Sequence, residues 1–275
     1  MSDAVPSFRK SDAAPVGLAA VSLGGVGART RREVAIIVLV AVVVIGTVEA
    51  YLRLAAVPEY IFPTPSAIVV ALVVQFPLIL PHLGYTLVSL LSGFFIGASV
   101  GLVLAAVVTQ KPFVEKVITP YILMLVTTPM LALVPLLILR FGFGYTPRII
   151  AVALAVGPMV MINAATGFRR TDSAKIALAR SYGASVLQIF WKIRAPMALP
   201  MILVGLMIGS IFGLLTCVGA EMVGGGFGLG NRLTTYSSMI NMPEFFAVIT
   251  LLSMMGIGIY VVFFLIGKKW ASWET

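Results

Sequence analysis

Residues 83–109 read LGYTLVSLLSGFFIGASVGLVLAAVVT, a run of 27 residues without a single Asp, Glu, Lys or Arg. A helix needs about 20 apolar residues to cross a hydrocarbon core of ~30 Å, so this stretch predicts a membrane-spanning helix. An open strand is excluded, because backbone groups in lipid must find their hydrogen bonds inside the segment. The same run places Gly93, Gly97 and Gly101 at every fourth position. That spacing leaves a flat stripe on which another helix backbone can approach closely.

Five further apolar runs flank it, over 34–52 with Glu49 toward its outer end, and over 117–139, 149–168, 199–218 and 245–267, which carry no charge. The reading is therefore an all-α, polytopic membrane bundle of about six transmembrane helices. The run at 199–218 repeats the stripe with Gly205, Gly209 and Gly213. Each stripe reads equally well as packing within one subunit and as an interface between subunits. The third run holds Pro120, Pro129 and Pro135 and the fourth Pro158, breaks that suit a moving pathway but also occur in static spans.

Composition agrees with this reading. Hydrophobic residues make up 60% of the 275 and charged ones only 11%, against the ~25% charged of an ordinary soluble domain. One cysteine, Cys217, excludes an internal disulfide, and one histidine, His82, leaves no His/Cys cluster for a metal. The net charge of +9 is explained by topology. With the N-terminus inside, 15 of the 19 Lys and Arg fall on the inner side, leaving Arg53, Arg140, Arg148 and Arg232 outside. Both termini are thus expected in the cytoplasm, with 1–33 a flexible tail ahead of an uncleaved anchor helix, 34–270 the membrane domain and 271–275 a short tail. No basic and aromatic interleaving points to nucleic acid.

Between the first two spans, residues 55–82 contain five prolines, too many for a straight span. Thr64-Pro65-Ser66 supplies helix-start chemistry, which predicts a short helix over 66–75 lying at the outer surface, with a half-span dipping into the bilayer as the alternative.

Motifs for chemistry are lacking. No G-x-x-x-x-G-K-[ST] loop occurs, and Gly267-Lys268-Lys269 has none of its other elements, so ATP is not expected on this chain. The run Gly224-Gly225-Gly226-Phe227-Gly228-Leu229-Gly230 lacks dinucleotide spacing and reads as an outer loop or broken helix. Glu49 and Glu221 are the acids nearest the membrane interior, and neither comes with a nucleophile or base in sequence. No catalytic, cofactor-binding or metal-ligating residue is assigned.

The most informative segment is the inner loop 169–198. Asp172 or Ser173 can cap a short helix over 174–182 that Gly183 ends, and Ser185 with Gln188 forms a capping box for a second helix before Pro196 and Pro200. A helix-Gly-helix elbow of small and apolar residues suits a partner's groove, and a basic helix on anionic headgroups is the competing reading.

These residues carry a resemblance. Ala177-Leu178-Ala179-Arg180-Ser181-Tyr182-Gly183-Ala184-Ser185, followed by Ile193-Arg194-Ala195-Pro196, resembles the EAA loop of binding-protein-dependent ABC importer permeases. Gly183, Ile193 and Pro196 keep the family spacing. Ala177 stands where the family has glutamate, Leu178 replaces its first alanine and Ala195 its leucine. Phe62-Pro63-Thr64-Pro65-Ser66, the run from Pro135 to Gly144, and Gly219-Ala220-Glu221-Met222 are similar to motifs of the sulfonate, taurine and nitrate branch.

The resemblance implies a type I ABC importer permease fold in the prokaryotic inner membrane. It also implies a homodimer, two cytoplasmic ATPase subunits that carry ATP and Mg, and an extracytoplasmic solute-binding protein. Ala177, Ala179, Arg180, Ser181, Gly183, Ala184, Ser185, Ile193 and Pro196 would contact the ATPase. Polar residues within spans usually face the protein interior, so Thr127, Thr128, Asn163, Thr166 and Thr216 are candidate pathway linings or helix-helix contacts. Glu221 would gate the outer mouth or pair with Arg232. The expected cargo is a small anion such as an alkyl- or aryl-sulfonate, taurine or nitrate. The same machine carrying a thiamine-precursor pyrimidine or riboflavin-like solute is one alternative, and an ATP-independent carrier or channel is another.

Overall fold

A computed structural model describes residues 31–270; the expected tails over 1–33 and 271–275 lie outside the described residues except for 31–33, which belong to a helix and not to a tail. Of the described residues, those up to Val44 fall in one unit and those from Ile45 in another. The N-terminal unit is helical from Arg31 and belongs to α1 (Arg31–Leu54). The larger unit continues with α2 (Pro65–Gln110), α3 (Pro112–Thr127), α4 (Met130–Phe141), α5 (Tyr145–Arg169), α6 (Ser173–Ser181), α7 (Val186–Ile189), α8 (Ala195–Gly224), α9 (Leu229–Ser238) and α10 (Met242–Trp270). Among the described residues five helices are long and apolar enough to cross a membrane, and six if the bent pair α3 and α4 counts as one.

Two expectations are corrected, and the proline-rich third span proves bent. The surface helix over 66–75 is not separate: it is the first part of α2, which begins where Thr64 accepts a hydrogen bond from Ala67 N–H and Pro65 takes the first turn. Pro77 and Pro81 lie inside α2. Four residues apart, they leave their missing bonds on one side of the helix, and the ladder on the other side carries it through.

The third span is not straight. α3 and α4 meet at 94°. The Thr127 and Thr128 hydroxyls both donate to the Met124 carbonyl, at 3.0 and 2.8 Å, and Pro129 has no N–H to continue the ladder. Thr128 adopts extended backbone, as a residue before proline prefers.

The second elbow helix does not stop before Pro196. A π-helical turn over Phe190–Arg194 joins α7 to α8, with Ala195 N–H donating to the Phe190 carbonyl. The extra residue in that turn widens the ladder just ahead of Pro196, and the rod runs from Val186 to Gly224.

The core is built around α5. Val152, Val156 and Val160 are fully buried with Leu90, Ala98 and Leu214 from the helices on either side. Both glycine stripes lie against this one helix. A Cβ at Gly97 would meet the Ala153 backbone and one at Gly101 the Gly157 carbonyl, while Gly205, Gly209 and Gly213 face Val160, Asn163 and Val156. The stripes are therefore packing surfaces within the chain, and α5 sits between α2 and α8.

Candidate functional site

The segment between α5 and α8 is shaped by local capping. Asp172 Oδ1 accepts from Ala174 N–H at 2.8 Å and starts α6. Gly183 ends it with φ +79°, its N–H donating to the Arg180 carbonyl and the Ala184 N–H to the Ala179 carbonyl. This pair of bonds is a Schellman motif, which needs a left-handed residue at the position Gly183 fills. The capping box is present as expected: Gln188 N–H donates to Ser185 Oγ at 3.3 Å and Ser185 N–H to Gln188 Oε1 at 2.8 Å.

One side of this helix pair is fixed to the bundle. Ile189 and Phe190 are buried, and Phe190 packs on Phe168 of α5 with ring centroids 5.1 Å apart. The other side is open, with Leu178, Tyr182, Val186, Leu187 and Trp191 between 59% and 83% exposed. A hollow of about 420 Å³ lies in the elbow, lined by Leu178, Ala179, Tyr182, Ile193, Pro196 and Met197, with Lys175 and Lys192 also on its wall. Arg180 and Ala177 are exposed and Ala184 half-buried, while the Ser181 hydroxyl donates to the Leu178 carbonyl at 2.7 Å. Leu178, Tyr182 and Trp191 extend the residues expected here. Their signal in the sequence was apolar side chains on a helix pair with too few partners to bury them.

At the far end of α8 a second polar cluster holds the glycine-rich turn. Glu221 is fully buried, and its Oε2 accepts from Thr86 Oγ1 at 3.0 Å and from Gly230 N–H at 2.9 Å. Thr86 Oγ1 accepts from Leu229 N–H at 2.9 Å, and His82 Nδ1 accepts from Gly228 N–H at 3.1 Å. Arg148 is 2% exposed and donates to the Phe227 carbonyl at 3.0 Å and to the Gly225 carbonyl, with its guanidinium 4.0 Å from the Phe227 ring centroid.

Glu221 makes no ion pair with Arg232; the salt bridges among the described residues are Arg53 with Glu49 and Arg169 with Glu115, each at 2.6 Å. The turn's own N–H groups reach the carboxylate first. Gly228 tolerates no side chain, since a Cβ there would enter the Glu221 carboxylate. Sequence reading placed Arg148 and His82 only as loop residues, because their partners lie 77 and 146 positions away.

The polar residues expected along a pathway are divided. Thr128 and Thr216 share the wall of a cavity of about 310 Å³ at the α3–α4 bend, with Pro158 and Met159 of α5. Thr127 is exposed, its hydroxyl donating to the Leu123 and Met124 carbonyls. Asn163 donates to the Met159 carbonyl and Thr166 to the Ile162 carbonyl, each at 2.8 Å, and neither lines that cavity.

A helical bundle of membrane-spanning length with an anchored but open helix pair between its two central rods fits the translocation subunit of a transporter. Residues 97–269 match the family described as binding-protein-dependent transport system inner membrane component, and the chain belongs to that family. Among its relatives, a putative aliphatic sulfonates transport permease of Bacillus subtilis is 30% identical over 74% of each chain. A probable ABC transporter permease of Haemophilus influenzae is 29% identical over 74% of this chain and 83% of its own. The taurine transport system permease of Escherichia coli is 34% identical over 54% of each.

The fold is that of a solved inward-facing methionine ABC transporter, with TM-score 0.65 at 18% identity over 71% of this chain and 97% of that one. An amino acid ABC transporter gives TM-score 0.62 at 20% identity over 73% and 97%. These relatives are permease subunits, translocation components of the membrane and not enzymes.

Proposed function

We propose that the chain acts as one of two identical permease subunits in an ATP-driven importer. Both termini and the segment 169–198 lie in the cytoplasm of a prokaryotic cell, two ATPase subunits there hold ATP and Mg, and a solute-binding protein delivers cargo on the opposite face. The observation that carries this reading is the helix pair α6–α7. It and the turn that follows expose Leu187 and Trp191, and Leu178 and Tyr182 also line the hollow of the elbow, while Phe190 is locked to Phe168. An apolar face of this size on a rigid elbow fits insertion into a protein cleft. Movement of the docked pair passes into α5 through Phe168 and into α8 through the continuous rod, a rigid-body switch driven by the ATPases.

Alanine at 177 removes the acid that the family loop supplies, so the basic residue Arg180 and the apolar side chains bear the contact. The test is co-purification of an ATPase subunit with the chain, using Arg180→Glu as the control. Co-elution that is lost in the variant supports the docking site. Full co-elution of the variant refutes it, and the absence of any ATPase partner with solute transport by the chain alone in liposomes supports a stand-alone carrier instead.

For cargo, relatives named for taurine and aliphatic sulfonates support a small sulfonate-type anion, with nitrate as the inorganic member of that class. A second reading, an aminopyrimidine- or riboflavin-like solute, has support from relatives named for formylaminopyrimidine and riboflavin transport. One structural observation favours it: no residue lining the cavity that holds Thr128 and Thr216 carries a charge. Uptake measured with each class of solute, in cells carrying the whole importer, separates the two.

A further inference from the structure

The cavity at the α3–α4 bend has a chemical bias. Its walls are apolar side chains, among them Met130, Leu131, Pro158, Met159 and Phe212, interrupted by the hydroxyls of Thr128 and Thr216. Its volume of about 310 Å³ lies at the small end of the range for organic ligands.

The polar groups it holds are mostly acceptors. Thr128 Oγ1 spends its proton on the Met124 carbonyl at 2.8 Å, which leaves its lone pairs free. Leu125, also on the wall, has a carbonyl that a continuous helix would bond to the N–H four residues on. That residue is Pro129, which has none. Thr216 is 6% exposed, and its hydroxyl makes no hydrogen bond among the described residues. That oxygen is not sealed off, and at membrane depth the cavity is where its partner must come from.

We infer that this cavity is a transit site for an uncharged, ring-sized organic solute that bears an N–H or O–H donor, held by Thr216 and by the acceptors of the α3–α4 break. The inference rests on the reading of the chain as an importer permease and narrows its cargo. An oxyanion offers only acceptors; here it would find one donor, the Thr216 hydroxyl, among lone pairs and apolar walls, with no cation to offset the loss of water. An aminopyrimidine places a flat apolar body against Met159 and Phe212 and directs its amino group to the acceptors.

The test uses the full importer complex in native membranes, with Met159→Cys as reporter in a Cys217→Ala background. Labelling of the reporter by N-ethylmaleimide is followed with 4-aminopyrimidine, hexanesulfonate, taurine or nitrate present at millimolar concentration. The expected result is labelling slowed at least threefold by 4-aminopyrimidine and by none of the others. That protection disappears in Thr216→Val and survives in Thr216→Ser. Equal protection by the sulfonate or nitrate, or no protection by 4-aminopyrimidine, overturns the inference. So does a reporter that never labels, because the face is then sealed by the second copy. Co-purification of the ATPase is scored on the same membranes, so the transit site can fall while the importer reading stands.

Discussion

The hydroxyl of Thr86 donates to Glu221 at 3.0 Å and accepts from the N–H of Leu229 at 2.9 Å, so that one side chain of α2 joins the end of α8 to the start of α9. Thr86 and Glu221 are both fully buried. Around this link the backbone N–H groups of Gly228, Leu229 and Gly230 all find acceptors, and Arg148 supplies donors to the carbonyls of Gly225 and Phe227. Three helices, α2, α5 and α8, thus hold the glycine-rich turn.

Thr86→Val keeps the shape of the side chain and leaves the Leu229 N–H and one Glu221 contact without partners. A buried polar group left unsatisfied costs about 1–3 kcal/mol. Thermal unfolding in detergent should therefore show a lower Tm for Thr86→Val than for wild type, with Thr86→Ser between the two. An unchanged Tm in the valine variant would remove Thr86 from the link.

Arg148→Met deletes both donors to the turn carbonyls and the contact with the Phe227 ring. Limited proteolysis of the purified protein should then cut within 224–228 several times faster than in wild type. Arg148→Lys, which cannot span both carbonyls as a planar fork, should fall between. Equal cutting rates in all three would show that Arg148 does not hold the turn.

The two glycine stripes differ in tolerance. A Cβ at Gly97 meets Ala153 Cα and Val156 Cβ at 3.0 Å, whereas at Gly209 it meets Val156 Cγ1 and Val160 Cγ2, the ends of side chains, at 3.2 Å. Gly97→Ala should cost about 1–3 kcal/mol as an overpacked site, and Gly209→Ala less. Gly258→Ala, with open space around it, serves as the control. Because both stripes grip α5 of the same chain, Gly97→Leu should lower the yield of folded chain in fluorescence-detected gel filtration. Normal yield with loss of a dimer peak alone would place the stripe between subunits.

Gly183→Val puts a β-branched residue at φ +79°, a conformation that costs an L residue roughly 1–2 kcal/mol. A Cβ at Gly183 has open space, so the effect comes from backbone strain alone and is confined to the elbow. Insertion and folding should be normal while ATP hydrolysis no longer drives solute uptake. Wild-type uptake per ATP in reconstituted vesicles would count against a role for the elbow in coupling.

Much of the elbow was legible in advance, since Asp172, Gly183, Ser185 and Gln188 act on groups within four residues of themselves. Prolines were less legible. Pro129 breaks its span while Pro77 and Pro158 do not, and the difference lies in the Thr127 and Thr128 hydroxyls that occupy the Met124 carbonyl beside it. Pro196 was read as an end, yet a single widened turn carries the helix past it.

By itself the sequence determined the membrane class, the spans and the capped elbow, because apolar length, charge placement and helix caps are properties of neighbouring residues. Tertiary structure alone decided that both glycine stripes face α5. It also decided that Glu221 serves the turn in preference to Arg232, and that Thr216 and Thr128 line one cavity at a bend. Each of these depends on which distant helix is brought alongside, and a stripe of glycines or a buried carboxylate is compatible with many partners until packing selects one.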